Sequence, residues 1–382
     1  MIYIVVPGDN VDDIARQFGI PAATLIYDNQ IIPPYRLAIG QALYIASGSD
    51  TELMAIKVNG YAYPFISPWV LRETLPFLTE LSVFSYGFTA DGALIYPLLD
   101  DMWMIQEART YLVRPILTLT PLNEAGMFSN ILISTIVNDS AAQENLIQNL
   151  IQILQEKGYQ GVDIDFEYIL PEDRDRFTEF VQNVTTQLNA FGYQVSVALA
   201  PKTSDTQTGL LYEGKDYAAL GTAANHVLLM TYEWGYTYSP PMAVAPINKV
   251  REVVTYAITR IEPQKIDLGI PNYGYDWPLP YERGVTKAQT IGNVEAVQIA
   301  ISYGVPIQFN EVAQSPFFNY TDENGISHEV WFEDVRSLQA KFNLIKEFRL
   351  RGCGYWQLMR WFRANWLLLS DNFTTQKAKR TA

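Results

Sequence analysis

The sequence predicts an α/β chain: a (β/α)8 barrel with a small α+β insertion before its last strand, preceded by a small βααβ module. Three observations carry this reading. Beyond residue 52, eight apolar strand-like runs alternate with helical stretches. One of those runs closes on three acids at every second position, Asp163, Asp165 and Glu167. The first 46 residues have a self-contained pattern and end at a polar segment, Ser47-Gly48-Ser49-Asp50-Thr51. Strands that alternate with helices form parallel sheets, and eight such units close into a barrel rather than an open sheet.

In the module, Tyr3 to Val6 reads as a strand and Pro7-Gly8-Asp9-Asn10 as a turn whose Asp9 or Asn10 caps the first helix. Val11, Ile14, Ala15 and Phe18 share one face of that helix, and Gly19 ends it. A second helix runs from Pro21 through Tyr27, and Gln41 to Ile45 is the closing strand. The stretches Y-I-V-V-P-G-D-N-V-D-D-I-A-R-Q-F-G-I and L-A-I-G-Q-A-L-Y-I resemble a LysM domain, with Asn10 where Thr is commoner. The resemblance implies binding of N-acetylglucosamine polymers in a groove formed by the loops Gly8 to Val11 and Asn29 to Pro33, with Gly8, Asp9, Asn10 and Asn29 as contact residues. The alternative is a structural cap that binds nothing. Residues 47–52 are the expected linker.

Residues 53–375 are the expected barrel. Its strands are Val58 to Tyr63, Leu81 to Phe88, Pro115 to Leu119, Gly161 to Phe166, Gln194 to Ala200, Val227 to Tyr232, Ile266 to Pro271 and Gly354 to Leu358. Ala141 to Lys157 and Arg174 to Ala190 have helical apolar spacing. From about 275 to 333 the rhythm breaks into a hairpin-like stretch, Ile307 to Tyr320, the turn Asp322-Glu323-Asn324-Gly325, and His328 to Phe332. This is the α+β insertion. Thr374 to Ala382 is polar and basic, and is expected to fray.

Composition narrows the chemistry. With 382 residues and a net charge of −14, the chain lacks the clustered cations that nucleic acid or an anionic membrane would need. The 24 Tyr, 18 Phe and 8 Trp suit a cleft in which rings stack on sugar faces. A lone cysteine, Cys353, excludes an intramolecular disulfide and a cysteine zinc site. Only His226 and His328 are available to a multi-histidine metal site or a Ser-His-Asp triad, and neither lies near a nucleophile motif. No metal or cofactor is expected. No signal peptide and no span long enough for a bilayer are apparent.

The chemistry concentrates in Gly161-Val162-Asp163-Ile164-Asp165-Phe166-Glu167-Tyr168. Alternate residues of a strand share a face, so the three carboxylates point together into the barrel, with Glu167 at the C-terminal end where barrel enzymes work. Crowded buried acids persist only by sharing protons, which raises at least one pKa into the range of a general acid. An acidic edge strand and a hard-cation site are the other readings; the apolar Val162, Ile164 and Phe166 fit the edge strand poorly.

The D-x-D-x-E pattern resembles glycoside hydrolase family 18, over the whole chain after the linker. The resemblance implies a retaining, substrate-assisted reaction. Glu167 is the expected acid and base, Asp165 the group that orients the 2-acetamido group, and Asp163 its partner through a shared proton. In Leu229-Met230-Thr231-Tyr232-Glu233-Trp234, Tyr232 is the implied donor to the acetamido carbonyl and Met230 the floor; Glu233 stands where chitinases more often have Asp. Trp356 is the implied platform under the cleaved sugar, against the alternative of a core Trp. Tyr273, in Gly269-Ile270-Pro271-Asn272-Tyr273-Gly274, is a further cleft candidate. The third strand, Leu117-Thr118-Leu119-Thr120-Pro121, lacks the family's S-x-G-G, and Gln160 replaces an Asp.

A LysM module on such a barrel is similar to the bacterial spore cortex-lytic N-acetylglucosaminidases and their spore-envelope relatives. Supporting stretches are Ala200-Pro201-Lys202-Thr203, Gly209 to Gly214 and Pro240 to Pro246. The implied function is hydrolysis of β-1,4 bonds after N-acetylglucosamine in peptidoglycan, by a monomer in the spore envelope, or otherwise at the cell wall or outside the cell. A chitinase on N-acetylglucosamine polymers and a non-catalytic glycan-binding barrel are the alternatives.

Overall fold

A computed structural model describes residues 1–46, 53–122 and 126–377; the expected linker lies outside them. All eight expected barrel strands form: Met54–Ala62, Glu80–Phe88, Arg114–Leu119, Gly161–Ile164, Gln194–Leu199, His226–Leu229, Ile266–Pro271 and Gly352–Trp356. Each pairs in parallel with the next, and the first pairs with both the second and the last, which closes the ring.

Alternation decides which side chain meets which layer. On the fourth strand Val162 and Ile164 are fully buried in the main core, while Asp163 lies in register with Thr118 of the third strand and Ser196 of the fifth. The helix Ser140–Lys157 shows why the outer layer forms as predicted. Asp139 caps it by accepting from the N–H groups of Ala141 and Ala142. Leu146, Leu150, Ile153 and Leu154 make its buried stripe, and Gly158 ends it at φ 80°, a left-handed conformation that costs glycine little.

The insertion is a five-stranded antiparallel sheet. Its helix Asn293–Tyr303 shares a small core of its own, containing Ala296, Ala300, Phe318 and Val330. Within it Ser315–Thr321 and Ser327–Trp331 form the hairpin around the Asn-Gly turn. The C-terminus departs from expectation. Phe373–Thr375 is a strand paired with Met54–Ile56, because Phe373 is buried and the lower half of the first barrel strand offers a free edge.

The N-terminal module has the expected order, with the strands Ile2–Ile4 and Ala42–Tyr44 flanking the helices Val11–Gln17 and Ala22–Asp28. It has its own core of Val5, Val11, Ile14, Leu25 and Leu43. It is also docked on the barrel. The Tyr44 hydroxyl donates to Asp371 at 2.8 Å, Arg363 pairs with Asp28 at 3.0 Å, and Ile307 N–H donates to the Ile39 carbonyl at 2.8 Å. No described helix is long and apolar enough to cross a membrane.

Candidate active site

Asp163 sits lowest in the barrel and is 1% exposed. Ser196 Oγ donates to one of its oxygens at 2.5 Å and the Tyr61 hydroxyl to the other at 2.9 Å. Burial raises its pKa, and these two bonds oppose the rise because they favour the anion. Both oxygens are thus held by hydroxyls, where the sequence suggested a proton shared with Asp165. Asp165 is 6% exposed, and one of its oxygens is buried without a partner among the described residues. Burial first, then the charges of Glu167 and Asp163, push its pKa well above the usual carboxylate range. Glu167 follows the strand, half-buried, and burial also raises its pKa. Protons are therefore held in this group at pH values where isolated carboxylates lose them.

The two upper carboxylates open into a cleft of about 610 Å³. Trp356 lines it, held by the rings of Phe84 at 5.0 Å, Tyr61 at 5.7 Å and Tyr63 at 6.2 Å, in tilted to edge-on contacts. Met230 packs in the same aromatic cluster. Tyr232 lies just past the sixth strand and also faces the cleft. Burial and the surrounding carboxylates raise its pKa well above the phenol range, so it remains a donor.

Glu233 reaches the cleft from a left-handed backbone conformation, φ 66°, that is strained for a glutamate. Its carboxylate accepts from the hydroxyls of Tyr273 and Tyr275. Tyr273 itself is 3% exposed and is not among the cleft walls; its hydroxyl is spent on Glu233. The sequence suggested a cleft residue there, whereas the structure has a support for one.

In the module, Asp9 accepts from Tyr3 and from the N–H of Val6, and Asn10 caps the first helix through Asp13 N–H. Asn29 bonds both backbone groups of Tyr44 and the Leu25 carbonyl. All three side chains build their own loops, so the groups left for a glycan there are mainly backbone ones; Gly8 sits exposed at the turn with φ 96°.

His226 faces Glu80 and Asp267 in the barrel, with a pKa pulled down to about 3 mainly by burial. His328 bonds Asp276 in the insertion at 2.7 Å. Sequence reasoning missed Tyr61 and Ser196, though a polar residue at every second position of an apolar strand is the signal for an inward-facing group. It also missed Lys215, which is fully buried and donates to the Glu167 carbonyl at 3.0 Å. A lysine in a polar loop ordinarily reads as exposed.

The profile of glycosyl hydrolases family 18 matches residues 127–360, and that of the LysM domain matches residues 3–46. The chain belongs to glycosyl hydrolases family 18. It is 43% identical to the cortical fragment-lytic enzyme of Bacillus subtilis (strain 168) over 306 residues, 80% of this chain and 70% of that protein. It is 40% identical to the protein of the same name from Bacillus cereus, over 99% of this chain and all of that protein. The crystal structure of the Bacillus megaterium QM B1551 spore cortex-lytic enzyme SleL matches with a TM-score of 0.93 and 35% identity, over 99% of both chains. As a family 18 glycosidase with a LysM module, the protein takes a glycan that contains N-acetylglucosamine.

Proposed function

We propose that the protein hydrolyses β-1,4 bonds after N-acetylglucosamine in spore-cortex peptidoglycan, as a monomer in the spore envelope and without nucleic-acid or membrane partners. Residues 53–375 are the catalytic unit with the 275–333 insertion, and residues 1–46, joined by 47–52, hold the glycan. The observation that carries the reading is the graded trio: Asp163 fixed by two hydroxyls, Asp165 with a free buried oxygen, and Glu167 at the cleft. The relatives named for cortex lysis supply the substrate.

In the first half-reaction Glu167 gives its proton to the leaving glycosidic oxygen as that bond breaks. The carbonyl oxygen of the sugar's 2-acetamido group attacks the anomeric carbon, forming an oxazolinium ion with retention over the two steps. Asp165 accepts from the acetamido N–H and stabilises the positive charge with its unpartnered oxygen. Tyr232 donates to the carbonyl oxygen and aligns it, and Trp356 supports the ring. Water then adds to the anomeric carbon as the bond from that carbon to the acetamido oxygen breaks, and gives its proton to the Glu167 carboxylate, which restores the acid and the free acetamido group.

The test is a digest of cortex peptidoglycan and of chitin oligosaccharide by wild type and Glu167→Gln, with mass spectrometry of the new reducing ends. Cortex fragments ending in reducing N-acetylglucosamine, absent with the variant, are expected. Cleavage of chitin alone makes the protein a chitinase. Binding without cleavage of either makes it a glycan-binding barrel.

A further inference from the structure

The loop 201–216, after the fifth barrel strand, forms one wall of the cleft through Leu211 and Tyr212. It runs hard against the segment that carries Glu167: a Cβ on Gly214 would stand 2.4 Å from the Ile169 carbonyl oxygen. Two lysines hold it there, Lys215 at 0% and Lys202 at 1% exposure. Lys215 Nζ donates to the Glu167 carbonyl at 3.0 Å, and Lys202 Nζ donates to the Lys215 carbonyl at 2.9 Å. The Lys202 N–H donates to the Tyr217 hydroxyl at 3.0 Å, and that hydroxyl donates to the Ala200 carbonyl at 2.5 Å. The far end of the loop is closed by Asp216, which caps the next helix at Ala219 and pairs with Arg174 at 2.6 Å.

An ammonium taken out of water costs several kcal/mol unless opposite charge meets it. The charges that act on Lys215, whose Nζ lies on the Glu167 backbone carbonyl, are those of Glu167 and Asp165 on the catalytic segment and Lys202 on its own loop. Asp163, farther down the barrel, is occupied by Ser196 and Tyr61, and Asp216 by Arg174. Charge accounting then singles out one state. With one proton between Asp165 and Glu167, the pair carries a single negative charge and Lys215 balances it. That is also the state the reaction needs, with an acid ready to donate and an anion ready to stabilise the oxazolinium ion. Without the ammonium, the neutral state of the pair holds two protons and lacks the anion.

We propose that Lys215 is a positioning residue of the active site: its buried ammonium holds the Asp165–Glu167 pair at a single proton, and the Lys202 tether fixes it and the cleft wall in place. The proposal rests on the glycosidase reading above. The desolvated ammonium itself titrates low, near 8, which sets an upper pH bound on the arrangement.

The test is the pH profile of kcat/KM on a soluble N-acetylglucosamine oligosaccharide for wild type, Lys215→Met, Lys215→Arg and Lys202→Met. It is joined by an NMR titration of the 13C-labelled Asp and Glu carboxyls, which needs no turnover. Lys215→Met should move the acid limb up by at least one pH unit and move the carboxyl titrations with it. Lys215→Arg should keep both in place. Lys202→Met, which leaves the Lys215 ammonium in place, should raise KM several-fold and leave the acid limb where it is. Lower activity in Lys215→Met with limbs and titrations unmoved overturns the proposal. If Lys215→Met does not fold, a shifted acid limb in Lys215→Arg overturns it equally. Wild type that binds the oligosaccharide without cleaving it defeats the glycosidase reading alone, and the carboxyl titrations still decide the role of Lys215.

Discussion

Ser196→Ala isolates the support beneath the catalytic acids. It removes the 2.5 Å bond to Asp163 and leaves one oxygen of a fully buried carboxylate unpaired, with the Tyr61 bond intact. A hydrogen bond to a charged group contributes about 1.5–3 kcal/mol. At about 1.4 kcal/mol per pH unit, this converts to an Asp163 that titrates about one to two pH units higher. The Ser196 bond lowers the folded-state pKa, so its stabilisation is present where Asp163 is ionised and is lost as pH falls through that pKa. The variant should therefore be less stable than wild type by about 1.5–3 kcal/mol where Asp163 is ionised in both proteins, with the deficit shrinking as pH falls and wild-type Asp163 takes up its proton. The titration of the 13C-labelled Asp163 carboxyl should move up by the same one to two units. Urea denaturation at several pH values and NMR of the labelled carboxyl measure the two effects. An Asp163 titration that superimposes on wild type would refute the idea that Ser196 keeps Asp163 ionised.

Three further variants probe other parts of the molecule. Tyr232→Phe should lower kcat by about 100- to 1,000-fold with little change in KM, the loss expected for one donor to developing charge, checked by steady-state kinetics. Trp356→Ala should weaken oligosaccharide binding by about 1.5–3 kcal/mol, read by calorimetry in a Glu167→Gln background; affinity equal to that background would make Trp356 a core residue only. Arg351→Met breaks a buried cluster in which Arg351 bonds Asp267 at 2.5 Å and Glu80 at 2.8 Å, and should cost about 3–5 kcal/mol in urea denaturation. Asp267 is already raised to about 7, chiefly by burial, so the folded state holds its proton more tightly than the unfolded chain. Stability from that group is present below about pH 4 and is lost as pH rises through 7. Losing Arg351 extends that window upward, so the deficit should be larger at pH 8 than at pH 5.

Periodicity made the barrel legible. Each strand has an apolar face that must pack against helices, so every second position is constrained, and the acids of the fourth strand stand out at the positions between. The same logic reached Trp356 and Tyr232 through their places at strand ends. It did not reach Lys215 or Lys202, because their burial is created by a loop folding onto a neighbouring strand end, and no local pattern records that approach. Tyr273 shows the opposite error. Its strand and register were readable, but which of two neighbouring polar groups meets the cleft depends on the left-handed turn at Glu233, which brings that carboxylate in front of the tyrosine. The strand at Phe373–Thr375 was hidden for a similar reason, since its pairing partner lies at the other end of the chain.

The docking of the N-terminal module changes what its removal should do. A module on a flexible tether raises avidity through effective concentration, and cutting it off spares the reaction on soluble substrate. Here the module grips the segment just beyond Trp356. Gln30 donates to the Trp361 carbonyl at 3.3 Å and accepts from the Arg363 N–H at 2.7 Å, and Arg363 also lies over the Tyr27 ring. Asn272 holds the same segment from the other side through the carbonyls of Gln357 and Arg360. Removing residues 1–46 takes away one side of the brace on the chain behind the sugar platform, leaving Asn272 and the Arg360 bonds to Glu295 and the Thr290 carbonyl, and strips Asp371 and Arg363 of their partners in the module. Each lost hydrogen bond is worth about 1 kcal/mol, so the truncated protein should unfold at lower urea. Its kcat/KM on soluble oligosaccharide should fall about fivefold, beside a larger loss on insoluble wall. Unchanged stability and soluble activity would mean that the module is only a tether, and that the contacts at Gln30 and Arg363 leave the active site indifferent to what is bound beside it.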